Sequence, residues 1–175
     1  MQRSSHALSK SAALLAFALS GFAPGLALSA TEPRFPQYNA AADCQGALPR
    51  LEIVFRKRPT GIANEGTSSA FLTCSMQADQ NAEGSIFATI AFRNRGAADA
   101  TVNCTMVAGI VDSPVFYPKS IVVPAGAAFT TLLSWTADDD NDGDPFDKQI
   151  NFSCSIPPGV EANYLNRLFN EEVGQ

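Results

Sequence analysis

Cys44, Cys74, Cys104 and Cys154 lie 30, 30 and 50 residues apart, in short segments whose apolar residues alternate. An even set of cysteines at such wide spacing reads as a disulfide framework in an exported chain. Zinc is not expected, because a four-cysteine site needs ligands in close pairs about two to four residues apart. The phase of each segment narrows the fold. In TVNCTMV the apolar positions are Val102, Cys104 and Met106, in QINFSCSI they are Ile150, Phe152, Cys154 and Ile156, and in AFLTCSM Cys74 shares phase with Leu72 and Met76. Three connectivities are open. Phase favours Cys44 with Cys74 and Cys104 with Cys154, the latter bridge being expected to join the inward faces of two facing sheets. Each bridge is expected to contribute about 3 to 4.5 kcal/mol by loop closure.

Further alternating runs mark strands. They are LEIVFRK (Leu51, Ile53, Phe55), SIFATIAFR (Ile86, Ala88, Ile90, Phe92) and AAFTTLLSW, where Phe129, Thr131, Leu133 and Trp135 share one face. Pro, Gly and Asn punctuate the intervals, as in RPTGIANEG and NRGAADA. NYLNRLFNEE has apolar residues at helical spacing and reads equally as a last strand. No internal repeat stands out. The expected fold is all-β, an antiparallel immunoglobulin-like β-sandwich of seven or eight strands with two disulfides. Trp135 follows Cys104 by 31 residues, so the antibody-type spacing is absent. The layout of Cys104 on a strand, a VPAG turn and FSCSIPPG near the C-terminus resembles small exported bacterial proteins with four cysteines and no assigned activity. That resemblance implies no site residue.

Residues 1–30 place Arg3 and Lys10 ahead of an apolar run and then small residues, the order of a secretory signal with cleavage near Ala30. Gly21, Pro24 and Gly25 interrupt the run, so no membrane insertion is expected after cleavage, and the destination is secreted or periplasmic. Residues 31–43 read as an extended arm and 44–175 as a single domain. Beyond residue 30 the chain has 10 Lys and Arg against 17 Asp and Glu, a formal charge of −7. Nucleic acid and anionic membrane surfaces are therefore poor partners. Arg56, Lys57 and Arg58 read as a solvated strand end that resists edge pairing. The lone histidine, His6, lies in the signal, which excludes histidine-dependent hydrolysis and His-ligated metals beyond it. Neither haem nor nucleotide is expected.

The segment from Thr136 to Gln149, TADDDNDGDPFDKQ, is the candidate metal site. Asp138, Asp140 and Asp142 occupy the first, third and fifth positions of a calcium loop, Gly143 the sixth, and Asp144 offers its carbonyl at the seventh. The twelfth position is Gln149 and cannot supply the bidentate carboxylate, so Asp147 is the substitute ligand. A solvated acidic turn is the competing reading. Bound calcium would be structural.

Three functional readings follow. The first is a non-catalytic binding or scaffold protein with an extracellular or periplasmic protein or glycan as partner. The second is carbohydrate binding through exposed rings, Tyr117 and Tyr38, with Trp135 assigned to the core. The third is a glycosidase-type enzyme in which Glu52, Asp112 or Glu161 works with a loop Asp.

Overall fold

The computed structural model describes residues 30–77, 82–140 and 143–174, so residues 1–29 of the signal segment and Asp142 lie outside the described residues. Chain order begins with β1 (Thr31–Arg34), β2 (Gln37–Asn39), a single helical turn α1 (Ala40–Asp43) and β3 (Cys44–Gly46). A 3-10 helix (Pro49–Val54) then leads to β4 (Phe55–Arg58), β5 (Gly61–Asn64), β6 (Ala70–Gln77) and β7 (Ala82–Asn94). Next come β8 (Ala100–Ala108), β9 (Val115–Val123), β10 (Thr131–Thr136), a second 3-10 turn (Ala137–Asp139), β11 (Gln149–Ile156) and β12 (Val160–Glu172).

The strands form two antiparallel sheets. The larger has the order β10-β7-β12-β5-β4, and the smaller β3-β6-β11-β8-β9. The antiparallel sandwich is as expected, but twelve strands are present among the described residues instead of seven or eight. The surplus comes largely from short segments. β12 is 13 residues long, and its edge away from β7 is covered in succession by β5, β2 and β1. The expected arm is thus extended chain that satisfies the backbone of β12. No helix among the described residues is long and apolar enough to cross a membrane.

Alternation decides which side chains enter the core. Trp135 is fully buried, donates from Nε1 to the Tyr117 carbonyl at 2.9 Å, and lies 5.1 Å from the Phe152 ring. Fully burying rings of this size removes on the order of 150–250 Å² each from water. Ile90, Phe92, Leu165, Met106, Ile150 and Cys154 complete the seam between the sheets.

Four further expectations need correction, and one open choice is decided. LEIVFRK does not form one strand: Pro49 stands at the start of the 3-10 helix, its fixed φ favouring a helical first turn, and Ile53 is 87% exposed. Phe129 precedes β10 and is 85% exposed, so the core phase begins only with Leu133. NYLNRLFNEE takes the strand reading of the two left open: Leu165 and Phe169 share one phase and Tyr164 and Leu168 the other. Both disulfides pair as expected, yet neither joins the two sheets. Cys44 opposes Cys74 on β3 and β6, and Cys104 opposes Cys154 on β8 and β11, all within the smaller sheet. Finally, an internal repeat exists: NEGTSSAFLTCSM (64–76) and NRGAADATVNCTM (94–106) share Asn, Gly, Ala, Cys and Met at equal spacing. Each copy turns the chain from the larger sheet into the smaller one.

Edges are protected. β4, at one end of the larger sheet, exposes Arg56 and Lys57, as the basic cluster predicts. β9 closes the smaller sheet and carries Pro118, a residue tolerated where no ladder bond is required on the open side.

Candidate functional site

The larger sheet carries a groove of about 520 Å³ on its outer face, where residues from five segments meet. Arg93 occupies an outward position on β7 and lies opposite Glu161 of β12. Arg95 follows two residues later on the same phase. The register shift after Ala162 brings Asn163 and Tyr164 to the groove, and β2 sets Asn39 opposite Tyr164. Gly61 allows the remaining wall to close. Its φ is +154°, and a Cβ there would stand 2.2 Å from the Ala162 carbonyl oxygen, so only glycine lets β5 approach β12 this closely.

A buried polar network stiffens this corner. Glu161 is fully buried. One carboxylate oxygen accepts from the Thr60 hydroxyl at 2.8 Å and from Asn163 Nδ2 at 3.1 Å, while the other accepts from Arg95 Nε. Asn163 Nδ2 also donates to the Thr60 carbonyl at 3.0 Å, and Asn39 Nδ2 to the Pro59 carbonyl at 3.0 Å. Burial pushes the Glu161 carboxyl up, but hydrogen bonds from Arg95 and Thr60 and the charges of Arg95 and Arg58 outweigh it and hold it below the ordinary carboxylate range. Glu161 is therefore an ionised anchor for Arg95. Arg93 is exposed and has no ion-pair partner among the described residues.

One ring, Tyr164, flanks these groups, whereas the Tyr38 ring lies opposite Leu165 on the inward phase and packs against the core. Tyr164 approaches the Thr130 hydroxyl at 3.4 Å, and Tyr38 is pinned by its own hydroxyl, which donates to the Gln77 carbonyl at 2.8 Å. Beyond Gln37 the floor continues as a polar row across four strands, Gln37, Asn166, Thr89 and Ser134. Ser134 Oγ donates to Thr89 Oγ1 at 3.0 Å, and Thr89 to the Leu133 carbonyl at 2.9 Å. Asn163 Oδ1 and Asn166 Oδ1 are shielded acceptors without a partner among the described residues.

Several carboxylates of the acidic loop are engaged by neighbouring groups. Asp139 caps the second 3-10 turn through the Thr136 N–H at 2.8 Å and pairs with Lys119 Nζ at 2.6 Å. Asp140 accepts from the Tyr117 hydroxyl, and Asp147 accepts from the Gln149 N–H at 3.2 Å. Gly143 adopts φ +73°, the left-handed turn that its place in the motif implies. Asp138 and Asp144 lie on the same loop, and Asp142 is outside the described residues. No group of three or more acidic, Cys or His side chains able to hold a metal ion occurs among the described residues.

Tyr117 is not an exposed ring. It is 8% exposed, on the inward phase of β9, with its ring edge-on to Phe146 at 4.9 Å. Phe116 takes the outward phase and is 61% exposed. With Phe71 and Pro118 it overlooks the outer face of the smaller sheet, where Thr73, Ser153 and Thr105 stand opposite one another on three strands. Of the other carboxylates considered from sequence, Glu52 is spent on the Gly46 N–H at 2.8 Å and Asp112 is exposed in the loop before β9.

Sequence reasoning missed Arg93, Arg95, Asn163 and Tyr164 as groove residues. Outward phase on β7 marks the two arginines, but nothing local shows that β2 and the 59–60 turn stand beside them. It also missed Arg167, which is fully buried between the sheets. That side chain shares the inward phase of Leu165 and Phe169.

No protein-family model matches the chain, and no curated protein sequence does. Among solved structures the chain is similar to a CBM4 structure, with TM-score 0.35, 13% identity, and coverage of 81% of this chain and 86% of that one. It is similar to a family 11 carbohydrate-binding module from Clostridium thermocellum in complex with a β-1,3-1,4-mixed-linked tetrasaccharide, with TM-score 0.35, 9% identity, and coverage of 87% and 92%. A third is a non-crystalline cellulose specific carbohydrate-binding module, CBM28, with TM-score 0.34, 13% identity, and coverage of 59% and 64%.

Proposed function

We propose that this is an exported, non-catalytic binding protein whose groove on the larger sheet takes a glycan. The observation that supports this reading is the composition of the groove: the Tyr164 ring, the amides of Gln37, Asn39 and Asn163, and the hydroxyls of Thr60 and Thr130 line one open cavity. Rings offer a face for the C–H surface of a sugar, and amides and hydroxyls exchange hydrogen bonds with sugar hydroxyls at little desolvation cost. Binding is favoured over hydrolysis by the state of Glu161. A general acid needs a raised pKa and access to the glycosidic oxygen, whereas Glu161 is depressed, buried and saturated with donors.

The test is affinity electrophoresis of the oxidised protein, freed of residues 1–30, in gels containing a panel of soluble polysaccharides. Retardation by at least one glycan is expected. Tyr164→Ala should weaken it roughly tenfold, the cost of about 1.4 kcal/mol of lost stacking. Phe71→Ala, on the opposite sheet, should leave it unchanged. Absence of retardation by every glycan, or equal loss in both variants, would sink the groove as a glycan site.

A further inference from the structure

The groove contains more positive charge than its own architecture consumes. Arg95 is committed, since its Nε donates to the buried Glu161 carboxylate, and that ion pair leaves the local charge near zero. Arg93 then stands on the same face, opposite Glu161 in register, exposed and without a counter-ion among the described residues. The groove thus carries one uncompensated guanidinium on a chain whose charge beyond residue 30 is −7. A surplus cation in a strongly acidic protein is not needed for solubility. Arg167, the guanidinium of β12, faces the interior and contributes nothing to this face.

We infer that the groove selects an anionic glycan, one that carries a singly charged acid group, and that Arg93 is the residue that reads the charge. This inference rests on the glycan reading of the same groove. A guanidinium presents a planar fork that receives two oxygens of a carboxylate or a sulfate ester in parallel hydrogen bonds, stronger than those between neutral groups. Arg95 supports it from a fixed position. Its Nε is held by the Glu161 carboxylate, which the Thr60 hydroxyl and the Asn163 amide fix in turn, so its other nitrogens are presented with little further loss of side-chain freedom. Asn163 and Tyr164, next to the two arginines in the groove, would receive the hydroxyls and the ring of the same sugar unit.

The experiment compares three probes at physiological salt by isothermal titration. They are a polyuronate, the same polymer after its carboxyl groups are reduced to primary alcohols, and a sulfated glycan. The expected result is binding of an acidic polymer that weakens at least tenfold on carboxyl reduction or is confined to the sulfated probe. Arg93→Ala and Arg93→Gln should both remove that discrimination, while Arg93→Lys should keep the charge preference with lower affinity. The exposed position of Arg93 lets all three variants fold, which matched melting temperatures would verify. Equal affinity for the acidic and reduced polymers overturns the inference and leaves the glycan reading standing, as does discrimination unchanged in Arg93→Ala. Failure of every probe, together with the neutral panel above, overturns both.

Discussion

Asn64 and Asn94 perform the same task at two corners of the sandwich. Each side-chain amide donates to the carbonyl four residues ahead, Ser68 at 2.9 Å and Ala98 at 2.8 Å. Each donates again to the opposite sheet, Asn64 to Ile156 at 2.7 Å and Asn94 to Val123 at 3.0 Å. Each carbonyl oxygen accepts from the glycine two residues on, Gly66 at 2.9 Å and Gly96 at 2.8 Å. One buried carboxamide therefore closes the turn and ties the larger sheet to the smaller, which is why the 64–76 and 94–106 segments share their spacing.

Asn94→Ala should cost about 2–4 kcal/mol, since three hydrogen bonds are lost and one of their partners, the Val123 carbonyl, is buried. Asn94→Asp should be worse, because a carboxylate cannot donate to Val123 and would be buried without a cation. Urea midpoints of the two variants against the parent measure this, and a loss below about 0.5 kcal/mol would contradict the corner's role.

The cystines lie on directly opposed residues of neighbouring strands, with Cα atoms 4.1 Å and 4.0 Å apart. Backbone pairing on both sides survives their removal, so the loss should act through the unfolded chain. Replacing Cys104 and Cys154 together by Ala should cost about 3–4 kcal/mol while leaving the far-ultraviolet circular dichroism of the folded protein unchanged. A changed spectrum at 10 °C would show that the bridge shapes the sheet itself.

Glu161 should make stability depend on acid. Its folded pKa lies below the ordinary value of 4.5, so its contribution is complete above that value and is lost as pH falls through the depressed one. Thermal melts from pH 6 to pH 2 should show a decline that Glu161→Gln flattens. An identical decline in the variant would assign acid sensitivity to other carboxylates.

Arg167 is confined between the sheets with its Nε unpartnered among the described residues. Among the described residues its terminal nitrogens reach the Met76 and Asp147 carbonyls, at 3.5 Å and 3.4 Å. Burial lowers its pKa to about 10, against smaller opposing effects of Tyr38 and Asp147. Arg167→Met, similar in length and apolar, should hold or raise the melting temperature. Arg167→Ala should lower it by the cavity it opens, about 2–4 kcal/mol.

Asp140 is the partner of the part-buried Tyr117 hydroxyl, so Asp140→Asn should cost about 1–2 kcal/mol in the presence of a chelator. The same melts in millimolar calcium test the ion reading of the loop. Anything bound only by the native state raises its stability, so a rise in the parent that Asp144→Asn abolishes would put calcium there.

Strand phase is a local property, and it was readable: Val102, Cys104 and Met106 point inward because successive side chains alternate, whatever lies across from them. The same locality made the antiparallel sandwich, the buried Trp135 and the cystine pairing legible. It also wrote the repeated Asn-x-Gly corner into the chain, which needs only a comparison of residues 64–76 with 94–106 to be seen. Neighbour relations are not local. That Cys104 meets Cys154 within one sheet, that Tyr117 turns in while Phe116 turns out, and that Phe129 falls outside its strand all depend on where pairing begins and ends. The groove depends on it most. Arg93 meets Glu161, and Thr60 meets Asn163, only because β7 and β5 flank the same shifted stretch of β12. Such a register is selected by the packing of the whole core, and no short window of residues carries it.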